Sequence, residues 1–217
     1  MDIAVLGTGS AGRTIAARLN ELGHHVVVGT RDPADTAGRE EYAEWAATEP
    51  GIDLATYEDA ASGAELAFVV TSGLAALNVL EQAGSQNIAG KVLVDVSNPL
   101  DFSQGFPPSL FVKDTDSLAE QLQRAHPQAL VVKALNTMTA SVMVRPDSLS
   151  EPSSVFVSGD DAKAKATVTG LLESFGHTDV IDLGDLITAR GAEMYLPLWL
   201  RLMGSLGTAS FNIKVVR

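Results

Sequence analysis

The stretch DIAVLGTGSAGRTIAARLNELGHHVVVGTRDP, residues 2–33, decides the fold. It opens with an apolar run short enough for a strand, and Gly7-Thr8-Gly9-Ser10-Ala11-Gly12 follows at once. A helical pattern then runs from about Ser10 to Leu22, Gly23 stands at a helix C′ position, and HVVVGT supplies a second apolar strand. Glycines spaced GxGxxG have separate tasks: Gly7 permits the tight turn, Gly9 lets the backbone approach a pyrophosphate, and Gly12 lets helix and strand pack closely. The spacing alone is a weak signal. Its place between a strand and a helix makes it a dinucleotide-binding loop, with the helix N-terminus meeting the phosphates.

The same alternation continues outward. A helix is predicted near residues 37–48, then the strand-like runs ELAFVVT, KVLVDVS and ALVVKAL. Strands apolar on both faces and separated by helices belong to a parallel, helix-covered sheet, so the fold class is α/β, a Rossmann-type doubly wound sheet. From residue 146 the pattern changes to a polar connection (RPDSLSEPSS), a strand (SVFVSG), a helix that Asp160 could cap, a strand (TDVIDLG) and one long apolar helix from about Asp185 to Gly204. This predicts a dinucleotide-binding domain over 1–145 and a small C-terminal α/β subdomain over 146–217. The terminal helix, apolar almost all round, is expected at a subdomain or homodimer interface.

Composition narrows the class. With 46% hydrophobic and 19% charged residues the chain has the makings of a packed core. A net charge of −12 repels nucleic acid and anionic membranes, so an anionic ligand needs a local positive pocket. There is no cysteine, hence no thiolate chemistry or Cys-type metal site, and the four histidines show no metal-ligand spacing. The N-terminus does not read as a signal peptide and MYLPLWLRLMGSLG is too short and interrupted to span a bilayer, so a cytoplasmic protein is expected.

An NAD-type site would end its second strand on an acidic residue for the ribose 2′-hydroxyl. Here the strand closes on Thr30 and Arg31, a hydroxyl and a guanidinium suited to a 2′-phosphate. Asp32 keeps the other reading open: shifted by one position it would face a ribose hydroxyl, and before Pro33 it could equally cap a turn. The remaining strand ends offer small polar groups for a nicotinamide riboside, namely Thr71 and Ser72, then Ser97, Asn98 and Pro99, then Asn136, Thr137 and Met138. No strand end carries an obvious proton donor. His24, His25, His126 and His177 lie at turns or helix ends, while Lys133 and Asp95 sit in apolar strands, where a structural and a chemical role are comparably good readings. No catalytic residue is therefore assigned. Hydride transfer between stacked rings needs orientation and little acid–base help.

Taken with VSNP, VKALNT, VSGDD and LWLRLMGSLGTASFNIK, the opening stretch resembles the coenzyme F420-dependent NADP oxidoreductases and, more distantly, the oxidoreductase domain of the STEAP metalloreductases. The resemblance covers nearly the whole chain. It implies NADP(H) on Gly7 to Gly12 with Thr30 and Arg31 at the 2′-phosphate, commonly a homodimer, and a deazaflavin ring between Asn136–Met138 and the segment containing Gly207 and Thr208. Deazaflavin-using members carry histidine where this chain has Asn136, and the FAD-using STEAP-like domains carry asparagine. FMN or FAD thus stays open as the second ring, giving a flavin or ferric reductase, and a non-catalytic NADP-binding sensor is the reading from another class.

Overall fold

The computed structural model describes residues 1–217. In chain order the elements are β1 (Asp2–Leu6), α1 (Ser10–Glu21), β2 (His25–Thr30), α2 (Pro33–Ala37), α3 (Glu40–Thr48), β3 (Ile52–Thr56), α4 (Tyr57–Gly63), β4 (Leu66–Val69), α5 (Gly73–Ala83), α6 (Ser85–Ile88) and β5 (Val92–Asp95). There follow β6 (Leu100–Asp101), β7 (Ser109–Leu110), α7 (Leu118–Ala125), β8 (Leu130–Ala134), α8 (Ala140–Val144), β9 (Ser154–Gly159), α9 (Ala162–Phe175), β10 (Asp179–Asp182), α10 (Ala189–Met194) and α11 (Leu196–Leu206).

Eight strands form one sheet in the order β10-β9-β8-β5-β4-β1-β2-β3. From β3 to β8 all neighbours are parallel, and the order reverses at β1, which lies between β2 and β4. That is the doubly wound Rossmann arrangement, whose ligand crevice opens at the reversal. β9 joins β8 antiparallel and β10 runs parallel to β9, so the boundary expected at residue 145 falls within a continuous sheet.

Alternation along the strands splits the core into two layers. Ile3, Val5, Val26, Val28 and Phe68 pack with Ile15 and Leu19 of α1 on one face. Ala4, Leu6, Ala67 and Val69 pack with Ala60 of α4, Ala76 and Leu80 of α5 and Leu122 of α7 on the other.

Four expectations need correction. β3 and α4 have no counterpart in the sequence reading, because IDLAT lies at the sheet edge with mixed, half-buried positions and lacks an apolar run. The helix expected near 37–48 is α3, which starts later, at Glu40 after the N-cap residue Arg39, and a separate short helix, α2, precedes it from Pro33. Asp161, not Asp160, caps α9, accepting from the Ala164 N–H at 2.7 Å, while Asp160 accepts from the Leu186 N–H at 2.9 Å. The single helix expected over 185–204 is a 3-10 turn at Leu186–Thr188, then α10 and α11. Pro197 has no N–H to continue the ladder, and α11 begins beside it. Only Leu196 and Leu200 of α11 are buried, and Leu198 and Leu206 stand exposed.

Close packing at Gly12 is steric. A Cβ there would lie 2.1 Å from the Gly7 carbonyl oxygen, a backbone atom that cannot swing away. Gly170, on the exposed side of α9, would meet nothing within 4 Å. Gly12→Ala is therefore expected to destabilise by about 1–3 kcal/mol, and Gly170→Ala to stabilise by roughly 0.5–1 kcal/mol through helix propensity. Thermal unfolding of the two variants should move in opposite directions, and a Gly12→Ala protein as stable as wild type would refute the contact.

Candidate functional site

At the reversal point a cleft of about 540 Å3 opens beyond the strand ends, lined by residues 7–11, 70–74 and 96–98 with Tyr57, Leu100, Phe102 and Met143. Two helices begin at it. Gly9 stands before α1 and Ser72 before α5; neither helix has a side-chain cap or an acidic residue in its first turn. Their leading N–H groups have no intrahelical acceptor, and their dipoles favour an anion. The position a Cβ would take at Gly9 has nothing within 4 Å, so a phosphate can approach the backbone there. These features fit a dinucleotide pyrophosphate in a chain whose overall charge opposes one.

Of the residues expected from sequence, Gly7, Thr8, Gly9, Ser10, Ala11, Thr71, Ser72, Ser97 and Asn98 line the cleft. Gly12 sits behind the loop, against Gly7. The structure adds Tyr57, Gly73, Leu74, Leu100, Phe102 and Met143. Gly73 had a readable signal, since VVTSG repeats the strand–glycine–helix pattern of the first loop. A Cβ on Gly73 would lie 2.1 Å from the Asn98 carbonyl oxygen. Tyr57 has none, because the edge strand before it, IDLAT, carries no apolar run.

A smaller cavity of about 210 Å3 adjoins Thr8–Ser10 and is lined also by Arg13, Thr36, Arg39, Glu41 and Tyr42. Thr30 is buried beside it, its hydroxyl 2.8 Å from that of Thr36. Asp32 caps α2, accepting from the Asp35 N–H at 3.0 Å. Its carboxylate thus has a structural task, the turn-capping alternative of the two read from sequence. Arg31 is exposed and close enough to Tyr57 to act on it: burial pushes the phenol up, and the Arg31 charge opposes that rise. Arg13 pairs with Glu41, and Arg39 with Asp35.

Other candidates lie outside the cleft. Asn136 is buried; its amide donates to Asn98 Oδ1 at 3.0 Å and to the Ala192 carbonyl at 3.1 Å, while the Asn98 amide donates to the Asn136 carbonyl at 2.9 Å. Thr137 is buried, Met138 belongs to the core, and the Pro99 carbonyl accepts from the Phe111 N–H. Gly207 ends α11 in the left-handed conformation and Thr208 is exposed; neither is a cleft residue. His126 and His177 are helix-terminal as expected, but both are buried, with His177 Nε2 2.9 Å from the Met143 carbonyl. A larger groove, about 630 Å3, follows α1. It contains no strand-end residue, and its Arg18 and Arg145 are paired with Glu21.

Residues 2–99 match the family described as NADP oxidoreductase, coenzyme F420-dependent. Over 210 residues the chain is 30% identical to the F420-dependent NADP reductase of Methanothermobacter marburgensis, covering 93% of this chain and 92% of that protein. The chain belongs to the F420-dependent NADP oxidoreductase family. It is also 33% identical, over 91% of its length, to the metalloreductase STEAP3 of Rattus norvegicus, but spans only 37% of that protein. A solved structure from Arthrobacter sp. FB24, provisionally named an F420-dependent NADP-reductase, is 56% identical and superposes with a TM-score of 0.99 over the whole of both chains. No helix of this family member is long and apolar enough to cross a membrane.

Proposed function

We propose that this protein transfers a hydride between NADPH and a deazaflavin coenzyme of the F420 type. The observation that carries the reading is the character of the cleft: two uncapped helix N-termini lead into a space whose only titratable lining side chain is Tyr57, beside Arg31 at the β2 end. Such a site binds phosphates and orients rings, and offers little for proton transfer. The reaction that fits needs alignment and exclusion of water.

The α1 and α5 N-termini would hold the pyrophosphate, and Arg31 with Thr30 and the Thr36 hydroxyl the 2′-phosphate. Ser97 and Asn98 face the nicotinamide end. Leu74 and Phe102, apolar and exposed at the rim, offer a surface on which a second planar ring stacks. The two cofactors themselves supply the hydride and its acceptor. FMN or FAD as that acceptor is the second reading, favoured by the likeness to STEAP3. A second copy of the chain on the exposed apolar side of α11, around Leu198 and Leu206, completes the proposal.

Arg31→Ala should weaken NADPH binding about tenfold to a hundredfold, as expected for a lost charge-assisted contact, and NADH binding far less. Asp32→Ala should cost about 1 kcal/mol of stability as a lost cap and leave that preference unchanged; equal losses of both nucleotides in the Arg31 variant would argue against a 2′-phosphate contact. When NADPH is mixed with the deazaflavin coenzyme, FMN or FAD in turn, its absorbance should fall with the deazaflavin. Turnover only with FMN or FAD selects the second reading, and tight binding without turnover leaves an NADP-binding sensor. Sedimentation at micromolar concentration should show a dimer, and a monomer excludes the α11 interface.

A further inference from the structure

Under the Ser97–Asn98 turn lies a buried ionic cluster that hydride transfer does not itself require. Parallel register sets Asp95, the last residue of β5, beside Lys133 of β8, and α10 brings Glu193 to the same point. Lys133 Nζ lies 2.9 Å from Asp95 Oδ2, 2.6 Å from the Ser97 carbonyl oxygen and 2.9 Å from Glu193 Oε1. Asp95 and the Ser97 carbonyl accept hydrogen bonds from the ammonium, and Glu193 pairs with it as an ion. Asp95 Oδ1 accepts from the Ser97 N–H at 2.9 Å and hydroxyl at 2.6 Å, and Glu193 accepts from the Leu118 and Ala119 N–H groups at 2.8 and 3.1 Å.

The three charged side chains are 0–2% exposed. Burial pulls the Lys133 amine down, but Asp95 and Glu193 outweigh it and the net shift is upward, so the group stays an ammonium. The excess negative charge of two carboxylates over one ammonium meets the positive end of α7. A buried charge cluster of this kind is a poor way to gain stability, since apolar residues of the same volume often serve as well or better. What it fixes is geometry.

Its upper end is the cleft. The Ser97 carbonyl held by Lys133 precedes Asn98, and Asn98 is bonded to Asn136, whose amide in turn grips the Ala192 carbonyl next to Glu193. Leu135, between Lys133 and Asn136, has φ 64°, a left-handed conformation that a leucine keeps only when its surroundings enforce it. We propose that Lys133 is a positioning residue, which through the Ser97 carbonyl and Glu193 fixes the Ser97–Asn98 turn and α10 against each other at the nicotinamide end of the cleft.

The inference rests on the NADPH reading, and its test separates the two halves of that molecule. NADPH and 2′,5′-ADP, which carries only the adenosine phosphates, are titrated against wild type, Lys133→Met and Glu193→Gln. Both variants should hold 2′,5′-ADP within about twofold of wild type, bind NADPH about fivefold more weakly as expected for a lost nicotinamide-end contact, and transfer hydride more slowly at saturating NADPH. Glu193→Gln keeps the volume while setting an amide among donors, so it decides alone if Lys133→Met does not fold. Equal losses of both compounds would mean a merely structural cluster, and no change in either would overturn the proposal. A wild-type chain that binds neither compound fails the cofactor reading itself, and the inference with it.

Discussion

At three places a carbonyl oxygen presses on a glycine α-carbon. A Cβ on Gly7 would lie 2.0 Å from the Val70 oxygen, one on Gly12 2.1 Å from the Gly7 oxygen, and one on Gly73 2.1 Å from the Asn98 oxygen. These contacts draw the ends of β1, β4 and β5 and the starts of α1 and α5 to one point. No larger residue fits without moving backbone, which has no rotamer to escape into. The cleft exists because the chain can come this close to itself there.

The same approach solves an electrostatic problem. A chain with net charge −12 has to attract an anionic nucleotide, and the positive potential it needs is local. Two helix N-termini free of acidic residues open on the cleft, and in the proposed site Arg31 would add a positive charge at the β2 end. The two carboxylates that follow Arg31 most closely in the chain are committed elsewhere, Asp32 to the start of α2 and Asp35 to Arg39. Short-range dipoles and one guanidinium can prevail there because the dispersed surface charge is screened over about 10 Å at moderate salt.

Farther along the sheet the chain uses charge differently. Lys133, Asp95 and Glu193 are removed from water and satisfied by one another, by backbone groups and by the Ser97 hydroxyl. They join β5, β8, α7 and α10, so the segment after residue 145 is tied to the floor of the site by hydrogen bonds as well as by strand pairing.

The βαβ unit, the glycine loop and the Thr30–Arg31 strand end are legible in the sequence, because each is written in neighbours a few residues apart: an apolar period, a glycine spacing, a terminal residue type. It showed Lys133 and Asp95 as charges in apolar strands and could not choose between a chemical and a structural role. Folding supplies the surroundings that bear on that choice, since Glu193, which pairs with Lys133, also reaches back to Leu118, 75 residues earlier in the chain. Asn136 reads as a ligand group at a strand end, yet its amide is taken by Asn98 and Ala192, groups that only folding brings near. The same holds for Tyr57, hidden behind an edge strand with no apolar run, and for the break before Pro197 in a segment whose composition favours one helix. Local pattern encodes which elements form; which polar groups remain free to meet a ligand depends on contacts between distant segments, and those are set by packing.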